Sequence, residues 1–313
     1  MSFTFDFYSA DDATADSSTA FQAAASEEAK CQPLGSASVR ARILSASEAA
    51  SEAESFAHEK VEVPLGPPLL KCIVPEQRLP ELLRSEVSGE TELFAVSDLV
   101  AGQYEGGFKL WECARDLLDV MSSLHDSGKI NMRNARVLEA GCGAGLPGIF
   151  SLRYGCESLV LQDFNAEVLC WMTMPCLKLN GAWDEAERGR VSFCSGDWAE
   201  VGPLLDTLPR SSSTPGFDLI LTSDSIYSPP AACHLWALIK GQLRSPHGAA
   251  LVAAKSYYFG VGGSVADFRA VVGADGDFEC ETVQIFEDGR SNRREVLLVR
   301  RGYQTNAQPA MDT

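Results

Sequence analysis

The 313-residue chain is short of positive charge: 26 Lys and Arg stand against 43 Asp and Glu, a formal net charge of −17. A polyanion of this strength repels phosphate backbones, which argues against general nucleic-acid binding and for basic protein partners. It lacks any apolar run near the roughly 18 residues that a membrane-spanning helix needs. No Lys or Arg precedes Lys30, so the basic head of a secretory signal is missing as well. Cysteine pairs are missing too. The ten cysteines are scattered singly, as at Cys113, Cys142, Cys156, Cys170, Cys176 and Cys194, with no C-x-x-C pair. They read as reduced, mostly buried thiols of a cytosolic or nuclear protein, which excludes a disulfide scaffold or a zinc ribbon. Histidine is scarce. His58, His125, His234 and His247 lie outside every motif below and read as ordinary surface or helix residues.

Composition divides the chain. Of the first 60 residues 26 are Ala or Ser, and the same stretch holds 10 acidic and 4 basic residues. Such a segment buries too little apolar surface to offset the entropy of ordering. Residues 1–60 are therefore expected to be a disordered acidic tail, with Ser45 to Lys60 a transient helix at most. Residues 61–100 read as a connector and lead-in, Pro-rich and extended from Val61 to Pro80. Residues 101–302 carry the regular pattern, and 303–313 read as a flexible C-terminus. Within 101–302, Leu117, Leu118, Met121 and Leu124 mark an amphipathic helix over Trp111 to His125. Short apolar strands are expected at Arg136 to Glu139, Ser158 to Gln162, Val191 to Cys194, Phe217 to Thr222 and Ala249 to Ala254. Helices are expected at Ile149 to Tyr154 and from a cap at Asn165 to about Leu179. Phe278 to Phe286 and Glu295 to Arg300 read as a closing antiparallel pair around Asp288-Gly289. Strands alternating with helices imply an α/β, doubly wound, mainly parallel sheet, here seven-stranded. Ligands of such sheets sit beyond the carboxyl ends of the strands.

Those strand ends carry the informative residues. After the first comes Glu139-Ala-Gly141-Cys-Gly143-Ala-Gly145. The alternating glycines suit a sharp turn and close ligand approach. Alone, this run fits an S-adenosylmethionine site, a dinucleotide fingerprint read from Gly143 to Gly148, or a merely structural turn. An acid such as Glu139 favours the cationic methionine end of a methyl donor over a pyrophosphate. After the second strand, Gln162-Asp163-Phe164 offers a carboxylate for ribose hydroxyls and an aromatic for adenine. After the third, Gly196-Asp197-Trp198 offers an acceptor for the adenine amino group and an indole face. These features in register at successive strand ends favour the methyl donor. The fourth strand ends in Thr222-Ser223-Asp224-Ser225-Ile226-Tyr227, which places Asp224 and Tyr227 as the residues that meet the methyl acceptor. Tyr257, Tyr258 and Phe259, followed by Gly260, Gly262 and Gly263, read as a mobile aromatic wall over that pocket.

In order, the segments from Gly106 to Cys113 (GGFKLWEC), from Glu139 to Gly145, Gln162 to Asn165, Ser195 to Trp198, Leu221 to Tyr227 and Lys255 to Gly263 closely resemble the eukaryotic histidine protein methyltransferases, members of the seven-β-strand, Rossmann-like methyltransferases. The resemblance covers roughly residues 95–302. It implies S-adenosylmethionine as cofactor, held by Leu110, Trp111, Glu112, Cys113, Ala114, Gly141, Gln162, Asp163, Phe164, Gly196, Asp197, Trp198 and Ser223. To these the residue reading adds Glu139, Gly143 and Gly145. It further implies transfer to the τ nitrogen of a histidine in a large-subunit ribosomal protein, in cytosol and nucleus. Separately, a monomer without a metal site is expected. Relatives with an Asp-x-x-Tyr motif methylate lysine, and Asp224 to Tyr227 fits that motif too. A dinucleotide-dependent oxidoreductase and a non-catalytic ribosome-assembly module are the remaining alternatives. Asp224 is expected to accept the π N–H of the substrate imidazole, with Tyr227 and the Tyr257 to Phe259 segment flanking the ring.

Overall fold

The computed structural model describes residues 40–83, 103–209, 214–289 and 291–302, all within one compact unit. The expected tail up to residue 39, the lead-in 84–102, Arg290 and the C-terminal stretch 303–313 lie outside the described residues. At the centre are five parallel strands: β4 (Arg136–Ala140), β5 (Ser158–Asp163), β6 (Val191–Ser195), β7 (Leu219–Ser223) and β8 (Ala249–Lys255). They stand in the order β6-β5-β4-β7-β8, so the chain reverses direction across the sheet at β4 and β7. β10 (Arg294–Arg301) runs antiparallel to β8, and β9 (Phe278–Phe286) antiparallel to β10.

The sheet has eight strands rather than the expected seven. The eighth, β1 (Arg42–Leu44), pairs antiparallel with β6 at the edge. It falls in what composition marks as tail, and so do two short 3₁₀ turns, Ala46–Glu48 and Ser51–Ser55, and the strand β2 (His58–Val61). Over Ser45 to Lys60 the backbone takes these two 3₁₀ turns and the start of β2. Ser45 caps the first 3₁₀ turn in a capping box with Glu48. The expected Pro-rich connector likewise holds a strand, β3 (Leu69–Cys72), paired with β2. Order here is supplied by long-range contacts that composition does not report. Leu44, Val61, Leu69 and Cys72 are buried in the main core. Asn180 clasps the backbone of Leu70 through both ends of its side-chain amide, at 2.9 and 2.7 Å.

Both faces of the sheet are covered. Val137, Leu219 and Leu221 point into the core shared with α1 (Glu112–Asp126), α2 (Leu146–Arg153) and the broken helix α3 (Ala166–Val168, Leu169–Thr173, Met174–Leu179). Leu138, Ala140 and Ile220 point to the other face, under α4 (Trp198–Leu205), α5 (Pro229–Gln242) and α6 (Val265–Gly273). Alternate residues are thus buried on opposite sides, which is why these strands read as unbroken apolar runs. Among the described residues no helix is long and apolar enough to cross a membrane, and no group of three His, Cys, Asp or Glu is placed to hold a metal ion. The nine described cysteines are free thiols.

One buried ion pair ties α1 to the antiparallel end of the sheet. Arg294 of β10 donates through Nε and Nη2 to the two carboxylate oxygens of Asp116 on α1, at 2.6 and 3.3 Å. Both side chains are nearly enclosed, so removing one partner strands the other charge away from water. Asp116→Ala is expected to lower the unfolding free energy by about 3 kcal/mol in a urea titration. A loss under about 1 kcal/mol, the scale of a surface pair, would mean that Asp288, 3.5 Å from Arg294, suffices to hold the guanidinium.

Candidate functional site

The turn after β4 has little side chain of its own, and its neighbour strand holds it. Gly141 N donates to Gln162 Oε1 at 3.1 Å, Cys142 N to the Gln162 carbonyl at 2.8 Å, and Gly143 N to Asp163 Oδ2 at 2.9 Å. Gly141, Gly143 and Gly145 all have positive φ, where a side chain is strained. At Gly143 a Cβ would also stand 2.9 Å from the Gly107 carbonyl oxygen. Gly145 then caps α2. The first turn of that helix is already supplied with an acceptor: Gly148 N donates to Glu139 Oε2 at 2.7 Å.

Gln162 is the hinge pin of the second and third strand ends. Besides receiving Gly141, its Oε1 accepts from Trp198 Nε1 at 2.8 Å, and its Nε2 donates to the Gly196 carbonyl at 2.8 Å. Trp198 is thereby laid beside the glycine turn, 3.3 Å from where a Cβ on Gly141 would be. Asp163 accepts from Gly143 N and, through Oδ1, from Asn165 N at 3.2 Å. Burial pushes its carboxyl up to about 6 in spite of those amides, and the charge of Glu105 adds to the rise. Asp197 caps α4 by accepting from Ala199 N, and its Oδ1 lies 3.3 Å from Nδ1 of His234. Burial works against its ionisation, but His234 and the amide outweigh it and hold the carboxyl below its ordinary value. His234 is therefore no ordinary helix residue: it is buried on α5 behind a strand-end acid. Asn165 starts α3 without capping it. Its side chain instead grips the segment before α1, donating to the Gln103 carbonyl and accepting from Glu105 N.

Beyond β7, Asp224 adopts φ 52°. Its Oδ2 accepts from Cys113 N in the first turn of α1 at 3.0 Å, and Oδ1 accepts from the Tyr258 hydroxyl at 2.9 Å. Burial raises its carboxyl above the usual range, with the Lys255 charge and these two donors opposing. Tyr227 donates to Glu105 Oε2 at 2.5 Å, and its phenol is held protonated by burial and by the Glu105 charge.

These groups surround one cleft with about 720 Å³ of open space, its mouth included. Of the residues singled out in the sequence, Leu110, Trp111, Ala114, Gly141, Gly143 and Asp163 line it. So do Phe164, Gly196, Asp197, Trp198, Ser223, Asp224 and Tyr227. Glu112, Cys113, Glu139, Gly145 and Gln162 are not among its lining. Glu139 turns under the glycine turn to α2, Gln162 braces the cleft from behind, and Cys113 contributes its backbone amide to Asp224. None of residues 257–263 lines the cleft either: Tyr258 turns inward to Asp224, while Tyr257 and Phe259 face solvent. The aromatic wall expected there is absent from the cleft, and the segment is pinned. Glu105 lines the cleft without having been marked in sequence, while Ser225 lies there inside the Leu221 to Tyr227 motif and Lys109 inside the Gly106 to Cys113 motif. For Glu105 the only signal is its position directly before that motif.

A family model described as lysine methyltransferase matches residues 96–258, just over half of the chain. The chain belongs to that family. Within curated proteins it is similar to the histidine protein methyltransferase 1 homolog of Dictyostelium discoideum, with 39% identity over 66% of this chain and 61% of that protein. The homolog of Bos taurus is 33% identical over 62% of this chain and 55% of its own length. The matched part thus spans about three fifths or less of these relatives. Among solved structures, a magnesium protoporphyrin IX methyltransferase from Synechocystis aligns over 72% of this chain and 93% of its own, at 15% identity and a TM-score of 0.43.

Glu139 gives this family member a pH signature. Complete burial lifts its carboxyl to about 8, with the Gly148 amide opposing and Asp163 adding to the rise. The folded chain then keeps a proton that the unfolded chain has released above pH ~4.3. Stability contributed by the neutral form is full below that value and is lost as pH climbs to about 8. Glu139→Gln, which stays neutral and can still accept from Gly148, is expected to flatten the decline of melting temperature between pH 5 and pH 8. Parallel profiles for the two proteins would refute the buried, protonated Glu139. Asp163 contributes a decline of the same sign, so the variant's slope is reduced rather than abolished.

Proposed function

We propose that the chain is an S-adenosylmethionine-dependent protein methyltransferase that modifies the τ nitrogen of a histidine in a basic protein, a large-subunit ribosomal protein. The observation that carries the cofactor choice is the occupied start of α2. A dinucleotide needs helix-terminal amides for its pyrophosphate. Here Pro147 has no N–H, and the Gly148 amide is spent on Glu139. The cleft is lined instead by Glu105, Asp163, Asp197 and Asp224, a set that repels phosphate and suits a ligand carrying a sulfonium and an ammonium. The side-chain-free turn at Gly141 and Gly143 leaves room for such a ligand against the backbone.

In this reading Asp163 faces the ribose hydroxyls and Asp197 the adenine amino group, with Trp198 laid by Gln162 against the nucleoside. When bound, S-adenosylmethionine supplies an electrophilic methyl group. The chain's own task is to present a nitrogen lone pair in line with it. An imidazole with pKa near ~6.5 is mostly neutral at pH 7 and needs orientation more than deprotonation. Asp224 has one oxygen bonded to Cys113 and one to Tyr258, and each keeps a second lone pair. One of these receives the π N–H, which turns the τ lone pair toward the methyl group and offsets the charge formed on the ring. The similarity to histidine protein methyltransferase 1 homologues supports histidine as the acceptor. Lysine is the second reading, favoured by the description of the family model and by the spacing of Asp224 and Tyr227.

Calorimetry should detect binding of S-adenosylhomocysteine and none of NADH. With tritiated cofactor and ribosomal proteins, label should enter a single histidine, identified by mass spectrometry as the τ-methyl derivative. Methyl groups on a lysine would replace histidine by the second reading, and binding of NADH alone would end both. Asp224→Asn is expected to cut kcat about 10²-fold or more while cofactor affinity holds. Full turnover in that variant would remove Asp224 from the mechanism.

A further inference from the structure

The described surface exposes few large apolar side chains, and three of them, Tyr257, Phe259 and Val261, sit on one short loop after β8. Phe259 is 65% exposed, the highest value among the exposed large hydrophobic residues described. Single exposed apolar residues need no explanation, but a cluster on one loop beside a cleft does. This cluster is built rather than loose. Tyr257 and Phe259 pack edge to face with ring centres 5.0 Å apart. Gly263 N donates to the Tyr227 carbonyl and Tyr258 N to the Gly263 carbonyl, at 2.9 and 2.8 Å. A Cβ on Gly263 would stand 2.0 Å from the Ile226 carbonyl oxygen, so the loop lies directly on the Asp224–Tyr227 segment. Asn292 holds the Tyr257 carbonyl from the β9–β10 turn. The middle residue of the aromatic triplet, Tyr258, bonds Asp224 in the cleft, while its two neighbours display their rings to water.

From this we infer that the Tyr257, Phe259 and Val261 rim is the docking surface for the protein substrate, receiving apolar side chains next to the target residue within a basic segment. The inference rests on the proposed methyltransferase reading and adds where its substrate is gripped. Continuity with the acceptor end of the cleft is given by the Tyr258–Asp224 bond. The charge argues for a basic partner. The cations around the rim are already paired, Lys255 with Glu112, Arg293 with Glu287 and Glu295, and Arg294 with Asp116 and Asp288. The chain as a whole carries −17. Rings fixed in advance lose little freedom on binding, so a small rim can contribute affinity out of proportion to its area. Because Tyr257 and Phe259 do not line the cleft, the rim governs capture of the substrate and not the transfer step.

The test compares the wild-type chain with the Tyr257→Ser, Phe259→Ser double variant. The probe is the salt-extracted protein of large ribosomal subunits, used with tritiated S-adenosylmethionine in one arm. In the other arm it is fluorescently labelled, with S-adenosylhomocysteine present, for anisotropy. The expected result is a KM for the protein fraction raised about tenfold or more and a matching loss of anisotropy binding, with kcat, melting temperature and S-adenosylhomocysteine affinity held. Unchanged KM and binding overturn the docking role. A fall in melting temperature or cofactor affinity shows the rings to be structural and overturns it equally. A wild-type chain that binds S-adenosylhomocysteine yet neither binds nor methylates the fraction refutes the ribosomal substrate, and the rim's assignment with it.

Discussion

Three successive amides of the glycine turn are received by two successive residues of the neighbouring strand, and the rest of the site depends on that exchange. The parallel register of β4 on β5 sets Ala140 opposite Gln162, so the chain leaves β4 just where Gln162 and Asp163 can take the Gly141, Cys142 and Gly143 amides. A buried amide without a partner costs about 1–3 kcal/mol. The turn is therefore locked to β5 rather than to any side chain of its own. Gln162 passes the constraint on to Gly196 and Trp198, so three strand ends are tied through one side chain. A cradle built this way is ready before a ligand arrives, which is what lets a small cleft bind without a large ordering cost.

The burial of acids sorts them by task. Glu139 is buried away from the cleft and holds its proton to about pH 8, so it acts as a neutral prop for α2 rather than as a counter-charge for a cationic ligand. Asp163 titrates near 6 and faces the cleft, where a cation would favour its ionised form. Asp197 is kept ionised by His234 and by the amide it caps. Acids that look equivalent in the sequence thus differ in charge because their burial differs and, with it, how far their donors can offset it, and only coordinates reveal either.

Much of the frame was legible because local pattern and tertiary fate agree. Leu219 to Leu221 are apolar without interruption because the sheet is covered on both faces, and the helix expected from Trp111 to His125 forms at Glu112–Asp126. What escaped detection depends on distant partners. Arg42–Leu44 is three residues long and has no periodicity to read; it is a strand only because the edge of β6 accepts it, with Gly196 leaving room for Ala41. The β2–β3 hairpin is fixed by Asn180, over 100 residues away. His234 sits in an unremarkable helix sequence and meets Asp197 only through the packing of α4 on α5. The aromatic triplet at Tyr257 was visible, but which ring turns inward depends on the turn at Gly263: the middle one reaches Asp224 and the other two face solvent.

Under the proposed reading, the proton inventory at the end of β7 bears on which nitrogen would be the acceptor. A lysine ammonium with pKa ~10.4 must shed a proton before it can attack, which costs about 4.6 kcal/mol at pH 7 unless a base takes it. Tyr227 is no such base, since its proton is directed at Glu105 and its phenol is held well above the ordinary range. Asp224 has both oxygens already engaged by Cys113 and Tyr258, and although burial, the largest influence, raises its carboxyl, no oxygen is left without a donor to face an ammonium alone. What Asp224 retains is a lone pair able to accept an N–H, which orients a neutral ring without removing anything from it. An imidazole asks for that and no more, because its free lone pair exists at neutral pH. Under the proposed methyltransferase reading, the chemistry at the end of β7 fits an acceptor that arrives deprotonated, as a histidine does, within a family whose model is described by lysine.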